Sequence, residues 1–379
     1  MSRRRREGGL PVWLVLAATV VLLAVVVCNL PSLRPVPPTP QASDWYQLYF
    51  TEPGSPDRPA SGRGGIDERF VEYVDGATRS LDVAVYDFDL ENVARALARA
   101  RARGVAVRMV LDSDTIANTR DEDIQRAIGI LDQGAVPFVG DERTGIMHHK
   151  FAVRDGEEVW TGSWNMTVGD TYRLNNNAAR LRSSELAAHY TVEFDEMFVQ
   201  RRFGPSKPRG GSFAAIEIGS GRVEALFSPV ENVAGRIAER VSAAESSANF
   251  LAFSFTHDGI GRAVVERARA GVAVAGVFER TGSLTRFSEF GPMREAGLAV
   301  YQDGNPYLMH HKVFILDGRA VIFGSFNFSQ SADRENDENC LIVEDAGFAE
   351  AFASEFNRIL VRAKASTESR EAPDRDRPR

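Results

Sequence analysis

His148-His149-Lys150-Phe151-Ala152-Val153-Arg154-Asp155-Gly156 runs on to Gly162-Ser163-Trp164-Asn165. In the same way, 162 residues later, His310-His311-Lys312-Val313-Phe314-Ile315-Leu316-Asp317-Gly318 runs on to Gly324-Ser325-Phe326-Asn327. Both copies read H-x-K-x4-D-x6-G-S-x-N without slippage, and they hold four of the six histidines of the chain. Apolar runs flank Asp155-Gly156 and Asp317-Gly318, and Asp-Gly between two strand-like runs favours a type I′ hairpin turn. A pattern this long, written once per half, marks a duplication.

The segments ahead of each copy match as well. Ser80 to Tyr86 reads as a strand, Leu90 to Arg103 as a helix, and Gly104 to Asp112 as a second strand. In the other half the same order is Asn249 to Phe255, a helix around Ile260 to Ala270, and Gly271 to Glu279. A glycine stops each helix and opens an apolar strand, as in α/β units. Strand–helix–strand order predicts mixed, largely parallel sheets with helices on their faces. Amphipathic helices close the halves, roughly over 184–200 and 346–365. The Gly/Pro-rich stretch from Gly204 to Ser212 joins them. The expected units are 44–208 and 209–365, followed by a charged, disordered tail over 366–379.

The remaining 1–43 read as an export segment. Arg3 to Arg6 precede a charge-free run from Val12 to Cys28, and a proline-rich linker follows. Roughly 17–25 apolar residues span a bilayer, and positive residues stay cytoplasmic. The reading is one N-terminal transmembrane helix, a signal anchor with the catalytic body extracytoplasmic; a cleaved signal peptide with secretion is the alternative. Through Ala42 there are five arginines and one glutamate, so the rest of the chain carries −11 of the formal −7. An acidic body disfavours nonspecific nucleic-acid binding, which rests on Lys/Arg neutralisation of phosphates. With 379 residues, 44% hydrophobic and 26% charged, the chain is an ordinary two-unit globular protein. Its two cysteines lie far apart, Cys28 in the apolar run and Cys340 in a strand, and no cluster has zinc-ligand spacing.

On a strand, residues two apart share a face. His148 and Lys150 therefore point together, as do His310 and Lys312, while His149 and His311 face the opposite way and read as structural. Ser163 with Asn165, and Ser325 with Asn327, add neutral donors. Two such sets meeting would hold one phosphoryl group between two imidazoles and two ammoniums. That suits phosphodiester cleavage in two steps without a metal or other cofactor: one imidazole attacks phosphorus, and the other protonates the departing oxygen and then activates water. Tyr86, Asp87 and Phe88 end a strand that approaches this site and could line a groove or pack. His257 reads as a loop residue, and Trp164 and Phe326 as core.

The paired motif resembles that of the phospholipase D superfamily, over nearly all of 44–365. The resemblance implies two pseudo-symmetric α/β/α repeats sharing one active site and a phosphohistidine intermediate. It implies that His148 and His310 are the catalytic pair, that Lys150, Lys312, Asn165 and Asn327 bind phosphate with Ser163 and Ser325 in the same motif, and that Asp155 and Asp317 are structural. Such repeats often place a carboxylate about 28 residues after the histidine, bonded to the imidazole. Glu338 stands there in the second copy and Asn176 in the first. With Glu338 beside His310, that histidine rests protonated as the general acid and His148 is the nucleophile; in the opposing reading Glu338 stabilises a phosphohistidine at His310. Membrane tethering and acidity favour a phospholipid substrate over DNA or RNA. A nuclease, a cardiolipin or phosphatidyl transferase, and a noncatalytic binding module are the alternatives.

Overall fold

The computed structural model describes residues 41–53, 64–208 and 214–371. The apolar N-terminal run and its proline-rich linker lie outside the described residues, and among those described no helix is long and apolar enough to cross a membrane. The first half contributes strands β1 (Gln41–Ala42), β2 (Tyr46–Phe50), β3 (Ser80–Val85), β4 (Ala106–Leu111), β5 (Phe138–Val139), β6 (Lys150–Arg154), β7 (Glu158–Gly162) and β8 (Asn177–Arg182). The second contributes β9 (Ile216–Ile218), β10 (Gly221–Ser228), β11 (Ser247–Ala252), β12 (Ala273–Phe278), β13 (Ala299–Gln302), β14 (Lys312–Leu316), β15 (Ala320–Gly324) and β16 (Glu338–Glu344).

Each half is one eight-stranded sheet, ordered β1-β2-β8-β7-β6-β3-β4-β5 and β13-β12-β11-β14-β15-β16-β10-β9. The expected strand–helix–strand units are present, with crossover helices Glu91–Ala102 and Asp258–Arg269. They do not make the sheets largely parallel. Only β3–β4, β4–β5, β11–β12 and β12–β13 pair in parallel, and every other ladder among the described residues is antiparallel. A helical crossover forces parallel neighbours, but the histidine hairpins return directly and can only pair antiparallel. The sheets are mixed.

The hairpins form as their sequence dictates. Asp155 and Gly156 take φ of 57° and 66°, and Asp317 and Gly318 take 53° and 63°, the positive values a I′ turn demands. Each aspartate then accepts three backbone N–H groups leading into the neighbouring strand, β3 or β11: Thr78, Arg79 and Ser80 at 3.0, 2.6 and 2.9 Å, or Glu245, Ser246 and Ser247 at 3.0, 2.7 and 2.9 Å. They tie the hairpin to the sheet.

One hydrophobic core lies outside each sheet, and a third is shared. The shared core combines Phe151, Tyr190 and Phe194 of the first half with Phe227, Phe323, Phe348 and Phe352 of the second. The closing helices Ser184–Phe198 and Ala346–Glu371 supply much of it. The last helix continues past the expected end near residue 365, so part of the expected tail is helical as far as Glu371.

Candidate active site

The two histidine segments are stitched to each other's half. His148 N–H donates to Asp337 C=O at 2.9 Å and His310 N–H to Asn175 C=O at 2.9 Å, with return bonds from Asp337 N–H to Ile146 and from Asn175 N–H to Leu308. This pseudo-symmetric pairing brings both imidazoles and both lysines into one site. His148 and His310 are each only 6% exposed, Lys150 2% and Lys312 1%. The ammonium of Lys150 donates to His148 C=O at 2.9 Å and that of Lys312 to His310 C=O at 2.8 Å, so each lysine curls over its own histidine. Aromatic rings from the ends of β3 and β11 wall the pairs: Tyr86 lies 5.0 Å from the His148 ring and Phe253 4.6 Å from the His310 ring, centroid to centroid.

The carboxylate expected beside His310 is beside the other ring. Glu338 Oε2 lies 2.7 Å from His148 Nδ1, whereas Asn176 Oδ1 lies 3.0 Å from His310 Nδ1. The halves exchange these side chains because β8 and β16 begin at the seam where each half meets the other's histidine segment. Sequence reasoning missed a further residue, Asp170, whose Oδ1 lies 3.2 Å from His310 Nδ1.

Ser163 and Ser325 are fully buried, and their hydrogen bonds run to the strand behind the site. The Ser163 hydroxyl donates to Asn176 Oδ1 at 2.8 Å and accepts Asn177 N–H at 3.1 Å; the Ser325 hydroxyl accepts Asn339 N–H at 2.9 Å. The motif glycines permit that approach. Gly162 and Gly324 sit at φ of 157° and 144°, and a Cβ there would fall 2.3 Å from Asn177 O and 2.4 Å from Asn339 O. Asn165 and Asn327 each keep a buried amide oxygen without a partner among the described residues. Trp164, Phe326 and Phe88 are core, Tyr86 and Asp87 are partly buried, and His257 caps the helix Asp258–Arg269.

His149 and His311 do face away. His149 Nε2 meets Glu193 at 2.7 Å, and His311 Nε2 meets Glu355 at 3.1 Å. Asp337 lies beside the first pair, and His149, Glu193 and Asp337 could have formed a metal-ligand cluster. The ammonium of Lys207, from the joint between the halves, pairs with Glu193 and lies 2.6 Å from Asp337. It occupies the place of a cation.

Electrostatics follow from burying two ammoniums together. Burial pushes Lys150 down to about 8, and burial with the nearby Lys150 charge pushes Lys312 well below the usual lysine range. Burial, then the lysines, lowers His148 far below its usual value and His310 to about 3. Both rings are therefore neutral until an anion offsets the lysines. Burial raises Glu338 to about 7. Burial acts in the same sense on Asp170, but the facing His310, the Asn165 N–H and Lys150 outweigh it and hold its pKa below the ordinary value.

A family model described as "Cardiolipin synthase, PLD-like domain" matches residues 70–198 and 237–360. A phospholipase D of Rickettsia felis is 30% identical over 159 residues, 42% of this chain and 80% of that protein. Human mitochondrial cardiolipin hydrolase is 36% identical over 129 residues, 34% of this chain and 51% of that protein. The phosphatidylserine synthase of Haemophilus influenzae has a similar fold, with a TM-score of 0.61 at 13% identity over 86% of this chain and 88% of that one.

Proposed function

The chain belongs to the phospholipase D superfamily and is a phosphodiesterase, and we propose that it hydrolyses phospholipids through a phosphohistidine on His148. Glu338, 2.7 Å from Nδ1, carries the mechanistic reading. By accepting the Nδ1 proton it leaves the Nε2 lone pair free to attack phosphorus, and it stabilises the cationic phosphohistidine that results. The bond from phosphorus to the headgroup oxygen breaks as N–P forms, and His310 gives that oxygen a proton. Water then attacks phosphorus, the P–N bond breaks and His310 takes the water proton, leaving phosphatidate and the free headgroup alcohol. Lys150 and Lys312 balance the charge on the equatorial oxygens, and Asn165 and Asn327 supply amide groups at the same phosphate. His148 keeps the nucleophile's role expected from the sequence, but for the reverse reason: the glutamate serves the attacking ring.

The rim of the site favours lipid. Leu284-Thr285-Arg286-Phe287 is exposed throughout, with Leu284 at 74% and Phe287 at 64%, and Tyr307 is 39% exposed. The Tyr307 segment adjoins the site, and the Leu284 segment is tied to the strand that leads into it. Ser283 Oγ accepts from Gln302 at 2.8 Å, and Asn305, two residues before Tyr307, donates to Asn175 Oδ1 at 2.7 Å. Exposed apolar and aromatic side chains beside arginine suit insertion among anionic headgroups. The names of the phospholipase D and cardiolipin hydrolase relatives agree with this substrate class. A signal anchor over the apolar N-terminal run would hold the body at such a surface from the extracytoplasmic side.

The test is turnover by the full chain, in EDTA, of vesicles of mixed phosphatidylcholine and cardiolipin against single- and double-stranded DNA. Lipid hydrolysis that disappears in His148→Ala is expected. Leu284→Ser/Phe287→Ser should slow turnover of vesicles but not of a short-chain soluble phosphodiester. DNA cleavage without lipid turnover would overturn the substrate reading.

A further inference from the structure

Corresponding positions in the two halves are 162 residues apart, so Asn176 stands where the second half has Glu338, and Asp170 stands where it has Ala332. Each half thus offers one buried acid to a ring of the catalytic pair, at different places. In the second half it opens β16; in the first it lies on the short helix Val168–Tyr172. The corresponding helix, Gln330–Arg334, has the same length and the same hydroxyl cap, Ser329 for Thr167.

We infer that Asp170 is the positioning carboxylate of His310, standing in from the helix for the glutamate that the first half lacks. Its reach is right: Oδ1 lies 3.2 Å from His310 Nδ1, next to Asn176 Oδ1 at 3.0 Å from the same atom. Its own orientation is fixed. Oδ1 accepts Asn176 Nδ2 at 3.0 Å and Asn165 N–H at 3.2 Å, and Oδ2 accepts the Thr167 hydroxyl at 3.1 Å. An amide beside an imidazole fixes its tautomer, but only an ionised carboxylate also favours the imidazolium. The exchange of Glu338 for Asn176 therefore does not leave His310 without an anion. Asp170 makes His310 the ring that can store the leaving-group proton once phosphate offsets the lysines. The role rests on the reading of His310 as general acid.

A general acid matters most for a poor leaving group, so paired soluble phosphodiesters with an alkyl alcohol and with p-nitrophenol as leaving groups separate positioning from structure. In the full chain, Asp170→Asn should slow first-turnover release of the alkyl alcohol on the order of 10²-fold and leave that of p-nitrophenol nearly unchanged. Asp170→Asn/Asn176→Asp, which returns the carboxylate to the strand, should recover most of the loss. Asp170→Ala is the second variant, since the other half folds around alanine at that position. Equal losses on both esters, no loss, or no recovery in the double variant would overturn the proposal. His310→Ala is the control. If its first turnover, read as release of the leaving group before phosphoenzyme hydrolysis, shows no leaving-group selectivity, the general-acid reading itself fails; if it does and Asp170→Asn does not, only the role of Asp170 falls.

Discussion

Around His148 the protein places a glutamate from the opposite half's strand, and around His310 an amide from the opposite half's strand backed by an aspartate from a helix turn. The lysines, the aromatic walls and the crossed backbone bonds are matched between the two halves; the acids are not. Duplication supplies two equal histidine–lysine sets, and two differences at the seam make the rings unequal. Glu338 sits in a fully buried place that raises its pKa, so its charge is costly and is offset most when His148 becomes cationic. Against its burial, Asp170 is held below the ordinary carboxylate range by His310 and several donors.

The largest effect that could break this comparison comes from the rings themselves. His148→Ala should reduce turnover on the order of 10⁵–10⁶-fold whatever the leaving group, as loss of a nucleophile does, and should leave no acid-labile phosphoenzyme in a quench experiment. His310→Ala should still form the phosphoenzyme from a p-nitrophenyl ester and then stall at hydrolysis. Phosphoenzyme trapped in His148→Ala would assign the nucleophile to the other half.

The halves also differ behind the rings, at the groups that hold His149 and His311. Glu193 is pinned by Lys207, which is fully buried and shared with Asp337, while Glu355 is pinned by the half-exposed Arg358. Lys207→Met leaves buried Glu193 without its cation and Asp337 with only Arg143, and should cost about 3–5 kcal/mol by chemical denaturation. Arg358→Met should cost less, because water reaches that guanidinium. Lys207 outweighs burial and holds Glu193 down at about 2. A depressed carboxylate stabilises above its unfolded value, so this contribution is lost as pH falls from about 4.5 towards 2, and the variant should lack that acid-dependent loss. Equal costs for the two variants would show that the two bolts are equivalent.

The sequence made the histidine–lysine sets legible and the seam illegible. His148, Lys150, His310 and Lys312 were readable because strand periodicity alone puts histidine and lysine on one face, and Asp155 and Asp317 because the turn needs them. Sheet polarity was misread since crossover helices are conspicuous in a sequence while returning strands are not. Glu338 was assigned to His310 by counting within one copy, but the ring a side chain reaches depends on how the halves dock, which spacing does not encode. Asp170 was visible in principle as the mismatch with Ala332 beside the mismatch of Asn176 with Glu338. Lys207 lay in a stretch that reads as a joint, where nothing local marks a lysine as buried.

The smallest effect is the most diagnostic of the inequality. The pH profile of kcat/KM reports groups of the free enzyme. Below about 7 Glu338 takes up a proton and no longer supports a cation on His148; above about 8 Lys150 loses its proton and with it the attraction for an anionic diester. Inflections near those two values are expected, and His310, neutral in the free enzyme above about 3, adds none between them. Glu338→Gln removes the acid limb. It also shifts the alkaline limb down, because the Glu338 charge, with those of Asp170, Asp87 and Asp112, helps to keep Lys150 protonated. Asp170→Asn should leave the acid limb near 7 in place, since Asp170 titrates below the ordinary carboxylate range. If Asp170→Asn abolished that limb and Glu338→Gln did not, the two carboxylates would have exchanged roles.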